Sequence, residues 1–134
     1  MKKSIVTLAI LATLSSCTPQ ESDTKKPETH KASILFELNS SSNISSINIY
    51  RDDRLIGQMP ATDAENSTYS FDDDKTIADQ SYTLRYTVEP LFMDSTNANV
   101  NIEMELKIDD STVVAQNIAG IKYGEVAELE YTKE

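Results

Sequence analysis

The chain has one cysteine, one histidine, no tryptophan and only three glycines in 134 residues. Each scarcity excludes something. A single thiol forbids an internal disulfide, so packing alone must hold any core. One histidine leaves little room for imidazole-based catalysis or a multi-histidine metal centre. Three glycines are too few and too scattered for a phosphate-cradling loop, and no zinc-ligand spacing or nucleophile elbow appears. Basic residues are scarce as well. Twelve Lys and Arg face 22 Asp and Glu, for a net charge of −10. Phosphate binding needs the opposite surplus, so nucleic acid is excluded as a partner. The acid excess instead makes a solubilising surface. No apolar run is long enough for a bilayer-spanning helix, which needs about 20 residues.

What is present begins at the N-terminus. Lys2 and Lys3 precede an apolar run from Ile5 to Leu14, which ends in Leu14-Ser15-Ser16-Cys17. A basic start, an apolar stretch of about ten residues and a small-residue terminus form the layout of a secretory signal segment. The order basic, apolar, small-small-Cys resembles the lipobox of bacterial lipoprotein signal peptides. That resemblance implies cleavage after Ser16 and acylation of Cys17, leaving residues 1–16 as a signal peptide. It also implies a partner, the membrane, reached through two or three acyl chains. Such anchoring is firm, at about 0.8 kcal/mol per buried CH₂. Thr18 follows the cysteine where Asp would favour inner-membrane retention in enteric-type sorting, so the resemblance points to the outer membrane. Cleavage removes Lys2 and Lys3 and leaves ten basic residues against 22 acidic ones, a net of −12. Anionic head groups repel such a domain.

Residues 17–31 read as a lipidated cysteine followed by a disordered tether. Thr18 to Lys31 is polar, carries two prolines and lacks any apolar period. Fully extended, it reaches roughly 45 Å at about 3.3 Å per residue. His30 falls at its end, where a loose tether cannot preorganise ligands or catalytic partners.

From Ala32 to the C-terminus the apolar period is two. Tyr82, Leu84, Tyr86 and Val88 share one face of a stretch, and Val100, Ile102, Met104, Leu106 and Ile108 share one face of another. Shorter alternations occur at Ile34-Phe36-Leu38, Ile47-Ile49, Arg54 to Met59, Tyr69-Phe71, Thr112 to Ile118 and Val126 to Tyr131. Strands with one dry face produce this pattern, whereas helices need spacings of three and four. Turn formers separate the runs, among them Arg51-Asp52-Asp53, Asp72-Asp73-Asp74 and Asp109-Asp110. The expectation for residues 32–134 is one all-β domain, a single antiparallel β-sandwich of about seven or eight strands.

The segments INIYRDDRLIGQ, YSFDDD and QSYTLRYTVEP resemble the middle of immunoglobulin-like and fibronectin type III domains. The resemblance implies that Tyr82 occupies the tyrosine corner, its hydroxyl capping an upstream loop. The order NVNIEMELKIDD, STVVAQNIAG, EVAELEYTKE is similar to the C-terminal domain of MmpS-type transport accessory proteins, with Asp109-Asp110 standing where a glycine-containing hairpin is usual.

Two internal segments are candidate sites. Asp72, Asp73 and Asp74 are the densest acidic spot and could offer oxygens to Ca²⁺, although the alternating pattern of a calcium loop is missing and a solvated turn explains them more simply. Leu91, Phe92 and Met93 fall between two strong strands, where loops are normally polar. Either they plug the end of the sandwich or they form an apolar interaction tip. Asp94-Ser95-Thr96 and Asp110-Ser111-Thr112 also resemble an O-glycosylation acceptor of one bacterial phylum. With no catalytic set and no cofactor motif, the expected function is that of a non-catalytic envelope lipoprotein, an interaction or accessory module with an envelope protein partner. The alternative is an envelope protein that binds a small ligand, a glycan or calcium.

Overall fold

A computed structural model describes residues 28–39, 43–62 and 66–134. Eight strands follow one another: β1 (Thr29–Asn39), β2 (Ile44–Arg51), β3 (Arg54–Pro60), β4 (Asn66–Ala78), β5 (Tyr82–Phe92), β6 (Asn99–Ile108), β7 (Ser111–Lys122) and β8 (Ala127–Lys133). They form two four-stranded antiparallel sheets, ordered β4-β1-β6-β7 and β3-β2-β5-β8. The expected β-sandwich is therefore the fold.

Alternation builds the core. Ile34, Phe36 and Leu38 of β1 and Ile102, Met104 and Leu106 of β6 line the first sheet's inner face. Ile47 and Ile49 of β2, Leu84, Tyr86 and Val88 of β5, and Ala127 and Leu129 of β8 line the second. The central strands bury alternate residues almost completely, and each large apolar side chain there contributes about 1.5–3 kcal/mol. The sheets also meet near one edge. A Cβ on Gly57 of β3 would lie 2.4 Å from the Phe71 ring of β4, so the ring occupies the space that a side chain would need.

β1 and β2 lie in different sheets, whereas the first two strands of an immunoglobulin domain share one. There, the strand after the tyrosine-bearing strand joins the same sheet by a hairpin. Here the chain crosses back to the first sheet, forms the β6–β7 hairpin beside β1, and only then adds β8 next to β5.

Three boundaries differ from those read in the sequence. β1 begins at Thr29, so Thr29, His30 and Lys31 belong to a strand and not to the tether. Strand pairing supplies the reason: Thr29 faces Ala78, His30 faces Ile77 and Lys31 faces Thr76. Asp72 to Asp74 lie inside β4 and not in a turn. The β1–β4 register jumps there, from Lys31 opposite Thr76 to Ser33 opposite Asp72, so β4 bulges and the acids sit in the bulge. Finally, Leu91 and Phe92 continue β5, with Leu91 opposite Ser46 and Phe92 opposite Ile44.

Two hairpins turn on Asp-Asp pairs. Asp52 and Asp53 between β2 and β3 have φ of 49° and 66°, and Asp109 and Asp110 between β6 and β7 have 49° and 67°. Two consecutive positive φ values define the type I′ turn, whose twist matches the flanking strands. Aspartate reaches this region more easily than most side chains.

Candidate functional site

The sandwich has two ends. At one lie the start of β1, both Asp-Asp turns, the β4–β5 loop and the end of β8. At the other lie the ends of β1 and β3, the starts of β2 and β4, and the segments linking β5 to β6 and β7 to β8.

Asp73 dominates the first end. Parity along β4 puts it on the same inward face as Tyr69 and Phe71, and its residue is only 4% exposed. Its Oδ1 accepts from Arg51 Nη1 and, at 3.0 Å, from the Lys75 amide. Its Oδ2 accepts from the Tyr86 hydroxyl at 2.6 Å. Arg51 and Tyr86 face each other across β2 and β5, so one carboxylate of the first sheet joins two side chains of the second. Burial alone would raise the Asp73 carboxyl, but Arg51, Tyr86 and the Lys75 amide outweigh it and hold it below the ordinary carboxylate value. Burial and the neighbouring carboxylate push the Tyr86 hydroxyl far above its usual range.

The acidic triplet does not converge. Asp72 and Asp74 point to solvent on either side of the buried Asp73, as period two demands. A cleft of about 490 Å³ opens beside it, lined by Lys31, Asp72, Asp73, Asp109 and Asp110 among others.

His30 forms a second cluster at the same end. Its side chain is 20% exposed, and its Nδ1 donates to Asp109 Oδ2 at 2.6 Å. Asp109 Oδ1 also accepts from the Lys31 amide at 3.0 Å, which fixes the carboxylate. His30 Nε2 stands 3.4 Å from Asp79 Oδ1, and Asp79 pairs with Lys133 Nζ. The hydrogen bond to Asp109 raises the His30 pKa against the pull of desolvation, and Asp79 adds to that rise. Lys133 and then His30 lower the carboxyl of Asp79. Donor atoms of Glu28, His30 and Asp79 all lie within 4.8 Å of one another. A tether would have left His30 without partners; the strand supplies them. Nothing local in the sequence marks the cluster, because Asp79, Asp109 and Lys133 lie 49, 79 and 103 positions from His30.

The second end is apolar. Phe92 is buried and Leu91 half-buried, while Met93 is 60% exposed. The segment thus divides: Phe92 plugs the sandwich, and Met93 faces water. The loop is held in place, since the Met93 amide donates to the Asn43 carbonyl at 2.8 Å and Asn43 Nδ2 donates to the Thr96 carbonyl at 2.9 Å. Tyr123 and Val126, between β7 and β8, are also exposed, at 59% and 43%. Val126, read in the sequence as the first residue of the last strand, precedes β8, and Tyr123 carried no sequence signal. Ser95 and Thr96 lie exposed in the loop after β5, and Ser111 and Thr112 open β7.

The tyrosine whose hydroxyl is buried is Tyr86, two turns of the alternation beyond Tyr82. Tyr82 is half-buried and tilts against Tyr131 with ring centroids 6.2 Å apart. Ser16, Cys17 and the remainder of residues 1–27 lie outside the described residues. No protein-family model, curated protein or solved structure matches the chain.

Proposed function

We propose that this is a lipid-anchored bacterial envelope protein, held through Cys17 to a membrane, with the outer membrane favoured by Thr18. Its immunoglobulin-like sandwich serves as a non-catalytic interaction or accessory module for an envelope protein partner. The observation that carries this reading is the opposition of the two ends. An anchor upstream of Thr29 joins the domain at its ionic end, opposite the end that carries Met93, Tyr123 and Val126. A strand of 11 residues spans about 36 Å at 3.3 Å per residue, which separates those side chains from the point of attachment. Exposed apolar groups on an otherwise acidic protein suit a protein surface better than a lipid one.

Membrane fractionation tests the address. The mature chain should start at an acylated Cys17, and Cys17→Ser should move it to the soluble fraction; a variant that stays wholly in membranes overturns the anchor. Photo-crosslinkers placed at Met93 and at Asp74 test the module. Capture of a stoichiometric envelope protein from Met93 but not from Asp74 supports it, and equal or no capture from both counts against it.

The cleft beside Asp72 and Asp109 favours a second reading, a calcium, glycan or small-ligand protein. Calorimetric titration with Ca²⁺ distinguishes it: micromolar binding lost in Asp72→Asn would displace the module reading.

A further inference from the structure

His30 Nε2 is completely covered and, among the described residues, makes no hydrogen bond. Its other nitrogen is committed to Asp109. On the Nε2 side, Asp79 Oδ1 stands 3.4 Å away without forming a hydrogen bond. A cation at that position, either the proton of an imidazolium or a metal ion, would serve both groups.

The spacing suits a metal ion as that cation. Two ligands about 2.1 Å from a tetrahedral Zn²⁺ are themselves about 3.4 Å apart. His30 Nε2 and Asp79 Oδ1 have that separation already. A carboxylate of Glu28 lies within reach of both. The contact behind the ring completes the pattern: a ligating imidazole commonly donates its far N–H to a carboxylate, which fixes its tautomer and orientation. Asp109 does this at 2.6 Å and is itself held by the Lys31 amide.

We propose that Glu28, His30 and Asp79 form a binding site for a divalent first-row transition metal of the Zn²⁺ class, with Asp109 orienting the histidine. Mixed imidazole and carboxylate donors select such ions over Ca²⁺ and Mg²⁺, which prefer oxygen alone. Three protein ligands leave a fourth position to solvent. The ion replaces the Lys133 ammonium as the partner of Asp79, so Lys133 is a competitor and not a helper. Bound metal ties Glu28, the residue that precedes β1, to the β4–β5 loop. The site goes beyond the module reading and does not need the lipid.

The test is a Zn²⁺ titration of the full chain carrying Cys17→Ser, so that the thiol cannot compete. His30 is the only histidine, so its ring ¹⁵N resonances report on the site without ambiguity. We expect one equivalent to bind, with Nε2 shifting and Mg²⁺ failing to displace it. His30→Gln should weaken binding more than tenfold, and Asp109→Asn by about 10–100-fold, as for removal of other groups that orient a ligating histidine. Lys133→Gln should tighten binding several-fold, an effect that a purely structural role for Lys133 would not produce. Circular dichroism checks that each variant keeps its strands. If Zn²⁺ leaves the His30 resonances unmoved, if His30→Gln binds as tightly as its parent, or if Lys133→Gln binds no more tightly, the site does not exist and any zinc uptake is carboxylate binding elsewhere on the surface.

Discussion

The two ends of the sandwich are closed by different forces. At the end where β1 begins, Asp73 draws Arg51 and Tyr86 together across the sheets and Asp109 holds His30. At the opposite end Phe92, Ile44 and Ala98 close the core by apolar contact. An ionic closure is directional and costs desolvation, so it works only when every partner is present. An apolar closure is non-directional and degrades gradually. The first end is therefore the one that single substitutions should break, and the second is the one with side chains to spare for a partner.

The largest expected effect is at Asp73. Asp73→Ala leaves the Arg51 guanidinium and the Tyr86 hydroxyl without their buried acceptor, and removing one partner of such a pair costs about 3–5 kcal/mol. Urea denaturation reads this directly. Replacing all three together by Arg51→Met, Asp73→Leu and Tyr86→Phe should cost far less, because no buried charge is then stranded. A triple variant as unstable as the single one would show that the network contributes net stability, not only geometry.

The same network sets the pH limits. The Asp73 pKa is lower folded than unfolded, so its contribution is complete above the unfolded carboxylate value of about 4. It is lost as pH falls through the folded value. Tyr86 behaves oppositely. Its pKa is raised, so stability is complete below about 10, the unfolded tyrosine value, and declines as pH climbs above it. Denaturation midpoints measured from pH 2 to 12 should fall at both extremes, and Tyr86→Phe should reduce the alkaline loss most and the acid loss in part, since its hydroxyl also helps to hold Asp73 low. An alkaline loss that survives undiminished in Tyr86→Phe would assign it to another group.

At the apolar end the two neighbours Phe92 and Met93 separate packing from exposure. Phe92→Ala should cost about 3 kcal/mol, the lower part of the range for a phenylalanine, since it closes the core's rim. Met93→Ser should stay within about 0.5 kcal/mol of the parent, as for most surface changes. If both destabilise equally, Met93 packs in solution and the exposed tip is smaller than drawn.

Much of this was legible in the sequence, and the exceptions share a cause. Period two marked every central strand, because alternate residues there meet a core on one side and water on the other. It marked Asp73 too: counting by two from Tyr69 through Phe71 reaches it. Its charge argued for a turn, and only the tertiary partners Arg51 and Tyr86, 22 and 13 positions away, make its burial tolerable. Proline and polar composition suggested a tether as far as Lys31, but the start of β1 at Thr29 depends on the pairing with Ala78, which no local pattern encodes. The His30 cluster was illegible for the same reason. Asp79 and Asp109 reach it through the β1–β4 and β1–β6 pairings, and sheet order is a global property.

The smallest expected effect distinguishes two turns of equal geometry. Asp110 and Asp53 both occupy the second left-handed position of a type I′ turn, with φ of 67° and 66°. Glycine adopts that conformation without the steric cost that a Cβ imposes, which is the usual reason for Asn-Gly and Asp-Gly hairpins. Backbone relief is thus available at both, partly offset by the greater freedom glycine gains when unfolded. The difference lies in the side chains. Asp53 pairs with Arg85 Nη2, whereas the carboxylate that organises the other turn belongs to Asp109. Asp110→Gly should therefore stabilise the domain by about 0.5 kcal/mol, and Asp53→Gly should gain less, by the small worth of an exposed ion pair. Thermal midpoints of the two variants, compared at low and high salt, check this. The gap between them should narrow as salt screens the Arg85 pair. A gap that ignores salt would mean that the ion pair is irrelevant and that the two backbones differ after all.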